Sequence, residues 1–289
     1  MSWWDYGHII TYWGHRIPNA NPFQSGIGGG PDHAPGASTF LTAQSEEEAN
    51  AVLDKLSVNG QPGARYVVSN AYMAYSIQPV FATWNESDIY GQFTQISQKD
   101  RLFIPGRKFY NTMESRLHIF DGNGLKYYRL VHESKPNPNT RGGYLEVGAY
   151  MENNNVVPYC DQGLCVGKYW YNAVYNENIP VEYSGYAKIF EYVKGARITG
   201  KASPDAQVTI SNSIRTNIGR TFPYSQKTIS DGTYEFIVPF STEGPIKGET
   251  QFDTQPTGAY TISSGNVTKQ INVNEKDVLE GGTITLDMV

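Results

Sequence analysis

The chain has 289 residues, 39% of them hydrophobic and 18% charged, which is enough apolar material for a core and too much for wholesale disorder. Lysine and arginine number 23 against 28 aspartates and glutamates, and a net charge of −5 argues against the basic face of a nucleic-acid binder. The unusual figures are 21 Tyr, 5 Trp and 29 Gly, a mixture that suits strands and polar-rimmed binding surfaces. No apolar run approaches the roughly 18–20 residues of a membrane span. No signal peptide opens the chain, since Met1 and Ser2 lead straight into Trp3-Trp4-Asp5. An opening so abrupt, inside a dense aromatic motif, predicts a piece of a longer protein.

To about residue 44 the chain is rich in Gly, Pro, Asn and His and reads as loop. Gly26-Ile-Gly-Gly-Gly30 follows no strand, opens no helix and lacks a Lys-Ser/Thr ending, so it is a flexible loop and no phosphate cradle. His8, His15 and His33 cluster here with Asp5 and Asp32. Their spacings demonstrate no convergent metal geometry, and hydrogen bonding in a polar loop is the plainer role. A helix follows: Ser45 and Glu48 form a capping box, Glu46 to Glu48 favour the positive end of the dipole, and Ala49, Val52, Leu53 and Leu56 make one apolar face ending at Asn59-Gly60. Arg65–Val68 is β-like. Ser69 or Asn70 caps the next turn, Met73 and Ile77 fall on one helical face with Asn70, and Pro79 ends or kinks that helix.

Ser115–Phe120 and Leu125–Val131 read as strands joined by Asp121-Gly-Asn-Gly124, a hairpin signal. Residues 134–182 show no sustained period and read as a long looped insertion. Cys160 and Cys165 lie in it, separated by four residues that include a glycine. The pair can close a small disulfide ring or remain as free thiols; without nearby histidines it is too small for structural zinc. A disulfide would place the chain in an oxidising, extracytoplasmic setting. Two acceptor-type sequons, Asn85-Glu-Ser87 and Asn266-Val-Thr268, fit such a place. Tyr186–Val193 is strand-like. After Gly195, Trp and Cys vanish and short β runs recur at 206–211, 233–239, 258–263, 268–273 and 283–287, the signature of a small antiparallel sandwich. Gly200-Lys-Ala-Ser-Pro-Asp-Ala206 and Asp231-Gly-Thr-Tyr-Glu-Phe236 resemble carboxypeptidase-regulatory-like sandwich modules. The fold class expected is α+β: a mixed α/β core over 1–195 with its looped insertion, then a β-sandwich over 196–289.

No Gly-x-Ser-x-Gly elbow exists, neither cysteine has a histidine beside it, and nothing nominates a pair of carboxylates for hydrolysis. Trp3-Trp4-Asp5-Tyr6-Gly7 is different. Indole N–H groups only donate and a carboxylate accepts, so this cluster can grip a small hydroxyl between aromatic walls. A plain aromatic core cluster is the competing reading.

These five residues resemble the WWDYG signature of oligosaccharyltransferase catalytic subunits. Gly7-His-Ile-Ile10, Arg16–Gln24, Glu114–Leu117, Tyr128–Ser134 and Lys188–Val193 resemble the archaeal branch, so the likeness extends over about residues 3–193. The family's second motif is a short helix written Asp-x-x-Lys-x-x-x-Met/Ile, with variants that carry Met second. Asn70-Ala-Tyr-Met73-Ala-Tyr-Ser-Ile77 matches the variant spacing, with Asn70 in place of the acid, which puts a charge-dependent role there in doubt. The register Met73/Ser76/Val80 fits less well.

The resemblance implies the soluble extracytoplasmic domain of a membrane glycosyltransferase that moves a lipid-linked oligosaccharide onto Asn of Asn-X-Ser/Thr. Trp3, Trp4 and Asp5 would hydrogen-bond the Ser/Thr hydroxyl, Met73 or Ile77 would contact the Thr methyl, and Tyr6, Gly7 and Asn70 complete the implied substrate-binding set. The implied partners are acceptor polypeptides and the membrane-embedded N-terminal portion with its lipid-linked donor, and no nucleic acid. The implied cofactor is a divalent metal, Mn or Mg, with ligands outside this chain and none bound here. No catalytic residue is therefore expected in this piece, and it should be inactive alone. The alternative is a secreted carbohydrate-binding or adhesive surface protein.

Overall fold

A computed structural model describes residues 1–135, 149–152, 155–160, 162–182 and 184–289. The fold is α+β. It forms two compact units: Met1–Asp121 with Glu133–Ile189, and Gly122–His132 with Phe190–Val289.

In the first unit the helix Glu46–Lys55 starts where side chains can satisfy its free N–H groups. Ser45 Oγ accepts from the Glu48 backbone N–H at 3.2 Å, and the Glu48 carboxylate accepts from the Gln44 N–H at 2.7 Å, one residue earlier than in the usual reciprocal box. Ala49, Val52 and Leu53 are buried on its inner face. Asn59 and Gly60 lie beyond its end, both with positive φ, in a tight turn that bridges Val58 to Gln61. Tyr66–Asn70 is a strand that leads directly into the short helix Ala71–Tyr75. That helix stops at Tyr75. Pro79, expected to end or kink it, instead sits in the first turn of a second helix, Gln78–Trp84, where a missing N–H costs nothing.

Ser115–Phe120 is no strand. Residues Ser115–Ile119 are π-helical, closed by the Phe120 N–H on the Ser115 carbonyl at 3.1 Å. Thr112 Oγ1 accepts from the Ser115 N–H at 3.2 Å and starts the turn. Ser115, Leu117, His118 and Ile119 are buried, and an element buried on nearly every side shows no telling period, so its sequence mimics a strand. Asp121–Gly124 consequently joins a helix to a strand, Tyr128–Glu133, and makes no hairpin.

The region 134–182 also holds more structure than a loop. Ala149–Glu152 pairs antiparallel with Asn155–Pro158, and Lys168–Tyr175 is a helix. Residues 136–148, 153–154 and 161 of that predicted insertion lie outside the described residues. The helix is poor in strong helix formers, but Trp170, Tyr171, Val174 and Tyr175 pack against a core that includes Tyr110, Phe109 and Ile119, and packing outweighs propensity. Cys160 and Cys165 are joined by a disulfide, with Cα atoms 4.3 Å apart. The Cys165 N–H bonds the Phe103 carbonyl at 2.7 Å, which ties this ring to the strand Leu102–Ile104.

The second unit is built of strands with alternating burial. Val208, Ile210 and Ile214, then Tyr234, Phe236 and Val238, then Tyr260 and Ile262 point inward, the pattern of sheets with one wet face. One sheet runs Thr221–Ile229, Gln207–Arg215, Tyr260–Ser264, Val267–Ile271, with Gln255–Pro256 also beside Gln207–Arg215. The other runs Thr233–Val238, Ala196–Lys201, Thr283–Thr285. The expected antiparallel sandwich carries one parallel pair, Thr283–Thr285 beside Ala196–Lys201. A connection through the helix Glu275–Glu280 brings the last strand in along that direction. Thr221–Ile229 was hidden by Pro223, and it is an edge strand, the place in a sheet where proline is tolerated. Residues 122–132 belong with this unit: Tyr224 Oη donates to the Leu125 carbonyl at 2.9 Å, and Arg129 forms a buried network with Glu191 and Glu275, with distances of 2.7–3.0 Å.

Candidate recognition site

Trp4–Tyr6 forms a 3-10 turn that runs into the helix Gly7–Gly14. Gly7 has ordinary helical angles, so its lack of a side chain serves close approach. A Cβ there would lie 2.5 Å from the Ala20 carbonyl oxygen and 2.7 Å from Asn21 Cα. Upstream, the Val68 N–H bonds the Met1 carbonyl at 2.8 Å, which lays the first residues beside the strand Tyr66–Asn70. Ser2 Oγ lies 3.9 Å from the Met73 sulfur. Trp3 is 1% exposed and packs on Phe81 with ring centroids 4.5 Å apart. Trp3 is thus the floor of the motif.

Trp4 is half-buried, with its ring centroid 6.2 Å from that of Trp3. Its indole N–H is buried and has no hydrogen-bond partner among the described residues. A donor left in that state costs about 1–3 kcal/mol, so its lack of a partner is a feature to be explained. The neighbouring Asp5 is exposed, and partial desolvation raises the pKa of its carboxyl. Donor and acceptor therefore sit one residue apart on one turn.

Asn70 binds this turn to the second motif. Its Oδ1 accepts from the Met73 N–H at 2.9 Å and caps Ala71–Tyr75. Its side chain also bonds the Tyr6 phenol, and because this bond lowers the phenol's pKa, favouring the phenolate, the amide nitrogen is the donor. An aspartate would keep the cap and lose that donation. Tyr6 has its pKa raised by burial first, against the Asn70 bond, and further by Tyr186, Asp5 and Tyr72. Tyr72 and Tyr186 are thus members of the same polar-aromatic surface, and sequence reading missed both. Tyr186 is brought in by the Ala71 N–H bonding its carbonyl at 2.8 Å, a pairing between segments far apart in the chain that leaves no local signal.

Met73 and Ile77 do not share one continuous helix. Met73 is fully buried, whereas Ile77 is half-buried at the start of the helix Gln78–Trp84, with its N–H on the Tyr72 carbonyl at 3.1 Å. Ile77 is the more accessible of the two. Beneath Asn70, Ser69 Oγ donates to Glu114 at 2.6 Å and lies 3.0 Å from His118 Nδ1. Burial pushes the Glu114 carboxyl up to about 8, against the hydrogen bond from Ser69, so it is protonated at neutral pH.

The clustered histidines do not converge. His8 lies edge-on to Phe23, and His33 Nδ1 is 3.0 Å from Asn85 Oδ1. Among the described residues no three His, Cys, Asp or Glu side chains are grouped so as to hold a metal ion, so the early histidines and aspartates do not fit one.

Two family models match the chain: one described as the AglB core domain over residues 1–74, the other as the archaeal glycosylation protein B long peripheral domain over residues 195–284. Dolichyl-phosphooligosaccharide-protein glycotransferase 3 of Archaeoglobus fulgidus is 36% identical over 335 aligned positions, which take in all of this chain and 37% of that protein. A crystal structure of an A. fulgidus oligosaccharyltransferase with Zn and sulfate superposes with a TM-score of 0.79 at 33% identity, covering 99% of this chain and 40% of that one. A second, tethered by a disulfide to an acceptor peptide containing the NVT sequon, gives a TM-score of 0.79 at 34% identity, with 99% and 38% covered. The class is that of oligosaccharyltransferases, and the chain belongs to the archaeal oligosaccharyltransferase family, AglB. It spans 37% of the length of its A. fulgidus relative. Among the described residues no helix is long and apolar enough to cross a membrane.

Proposed function

We propose that this chain is the acceptor-reading part of a membrane oligosaccharyltransferase: the full-length protein transfers a dolichol-linked oligosaccharide to Asn of Asn-X-Ser/Thr, and this part holds the Ser or Thr. The observation that carries the reading is the buried, partnerless indole N–H of Trp4 beside the exposed carboxylate of Asp5. A hydroxyl is the small group that answers both, with its oxygen accepting from Trp4 and its hydrogen donated to Asp5. Alanine at that peptide position would leave both unanswered. Trp3 is the packed floor, Gly7 admits the backbone of residues 20–21, and the Tyr6–Asn70 bond ties the turn to the second motif. The Thr methyl meets Ile77 first and Met73 behind it, a preference for Thr over Ser of about 0.8 kcal/mol for one buried methyl.

The relative's name and the tethered NVT peptide support lipid-linked donor and sequon acceptor as the substrate classes. A divalent metal, Mn or Mg, would be held by the rest of the protein, and the acceptor amide would be activated there too, so no catalytic acid or base is assigned to this chain. The Cys160–Cys165 disulfide supports an extracytoplasmic location. On this reading residues 1–195 carry the recognition and 196–289 form a peripheral sandwich, a division by role in which 122–132 and 190–195 nonetheless group with the second compact unit. The family relationship lends nothing to a free-standing adhesive or carbohydrate-binding protein.

The test is transfer to an Asn-X-Thr peptide by the full-length enzyme carrying Trp4→Phe, which keeps an aromatic ring and deletes the donor. Transfer should fall about tenfold or more, the value of one desolvated hydrogen bond. Wild-type transfer by Trp4→Phe together with wild-type transfer by Asp5→Ala would sink the reading.

A further inference from the structure

The two sequons carried by this chain are treated oppositely by the fold. Asn85 is 7% exposed. Its amide nitrogen already donates to Thr42 Oγ1 at 2.8 Å and to Ser87 Oγ at 2.9 Å, so the hydroxyl of its own sequon is spent on it. Its Oδ1 faces His33 Nδ1 at 3.0 Å and Thr39 Oγ1 at 3.3 Å. That amide cannot reach an enzyme without unfolding.

Asn266, Val267 and Thr268 are all exposed. Gly265-Asn266 is the two-residue turn of a hairpin, with Ser264 paired to Val267 and Gly265 at φ +56°. Val267–Ile271 lies at the end of its sheet, so Val267 and Thr268 have a strand on one side only. Neither Asn266 nor Thr268 has a side-chain hydrogen bond among the described residues. The tripeptide is also the sequon carried by the acceptor peptide tethered to the A. fulgidus enzyme.

We propose that Asn266 is itself an N-glycosylation site, an acceptor of the lipid-linked oligosaccharide; this rests on the reading above that the full-length protein is the transferase. In the transfer the Asn266 amide nitrogen bonds the anomeric carbon of the sugar and gives up one proton to solvent. The bond from that carbon to the phosphate oxygen breaks, and its electron pair leaves with the lipid phosphate. A glycan there stands at the start of an exposed edge strand, where bulk and hydration oppose edge-to-edge pairing with another chain.

The experiment is mass spectrometry of tryptic peptides from the full-length protein purified from an archaeal host with its lipid-linked donor. Peptide 248–269 holds Asn266 and peptide 66–99 holds Asn85. Most copies of peptide 248–269 should carry a glycan on Asn266, and peptide 66–99 should be bare. Asn266→Gln and Thr268→Val should abolish the modification with an unchanged thermal melt, and Thr268→Ser should keep part of it. The same preparation is assayed on a free Asn-Val-Thr peptide. Glycosylation of that peptide with a bare Asn266 overturns this inference and leaves the proposed function standing. A glycan on Asn266 with no activity on the peptide upholds the inference and overturns the function. A bare Asn266 and an inactive preparation overturn both.

Discussion

The two units treat buried polar groups differently. In the second, Arg129 is gripped by Glu191 and Glu275 through four hydrogen bonds, and the Tyr260 and Tyr224 hydroxyls each reach a backbone carbonyl at 2.9 Å. Among its described buried polar atoms only Thr216 Oγ1 goes unanswered. In the first unit Trp4 Nε1, Ser38 Oγ, Ser184 Oγ and one Glu114 oxygen have no partner among the described residues. A scaffold gains by closing its hydrogen bonds, whereas a binding surface must leave some open for a ligand. On the proposed reading the unanswered donor that matters is that of Trp4, whose neighbour in sequence, Asp5, carries an exposed carboxylate.

The largest effect should come from breaking the closed network. Burial alone would lower the Arg129 pKa, but Glu275 and Glu191 more than offset it and hold the guanidinium charged. Arg129→Ala would strand two buried carboxylates and should destabilise the second unit by about 3–5 kcal/mol, read by chemical denaturation of this chain. A loss under about 1 kcal/mol would show that the network is not closed in solution.

Glu114 comes next, through pH. Its folded pKa of about 8 lies above the usual 4.5, so the unfolded chain loses its proton first. The stability from the neutral carboxyl is full below about pH 4.5 and drains away as pH rises to about 8, on the order of a few kcal/mol. Glu114→Gln should flatten that part of the melting-temperature profile. A variant with the wild-type slope would assign the slope to another group.

Asp5→Ala sharpens the contrast, because it should touch function and spare the fold. Transfer to a Thr sequon should fall roughly ten- to a hundredfold, about 1.5–3 kcal/mol, with an unchanged melt. Asn70→Ala removes a cap and the Tyr6 bond and should cost about 1 kcal/mol of stability. Asn70→Asp should keep the cap, so recovery of stability without recovery of transfer would isolate the Tyr6 bond. Smallest is Ile77→Ala, expected to erase a Thr-over-Ser preference of about 0.8 kcal/mol in competing peptides. A preference that survives there and vanishes in Met73→Ala would reverse their order.

Much of this was legible from local chemistry. The Ser45 cap, the cap offered at Ser69 or Asn70, the β runs at 206–211 and 233–239, and the disulfide ring offered beside free thiols each depend on residues a few positions apart. The elements misread share one property. Ser115–Ile119 is buried on most sides, Lys168–Tyr175 is poor in strong helix formers, and Thr221–Ile229 carries a proline, so packing or edge position decided each of them.

By itself the sequence determined the chemistry on offer, an indole donor and a carboxylate on adjacent residues, and the family to which they belong. Only the tertiary structure decided which groups are free to act. It buried Trp3 and Met73, left the Trp4 N–H without an acceptor among the described residues, brought Tyr186 to Ala71 from more than a hundred residues away, and locked Asn85 while exposing Asn266. The physical reason is range. Caps and turns form between near neighbours, whereas burial and hydrogen-bond satisfaction depend on whatever the rest of the chain brings alongside.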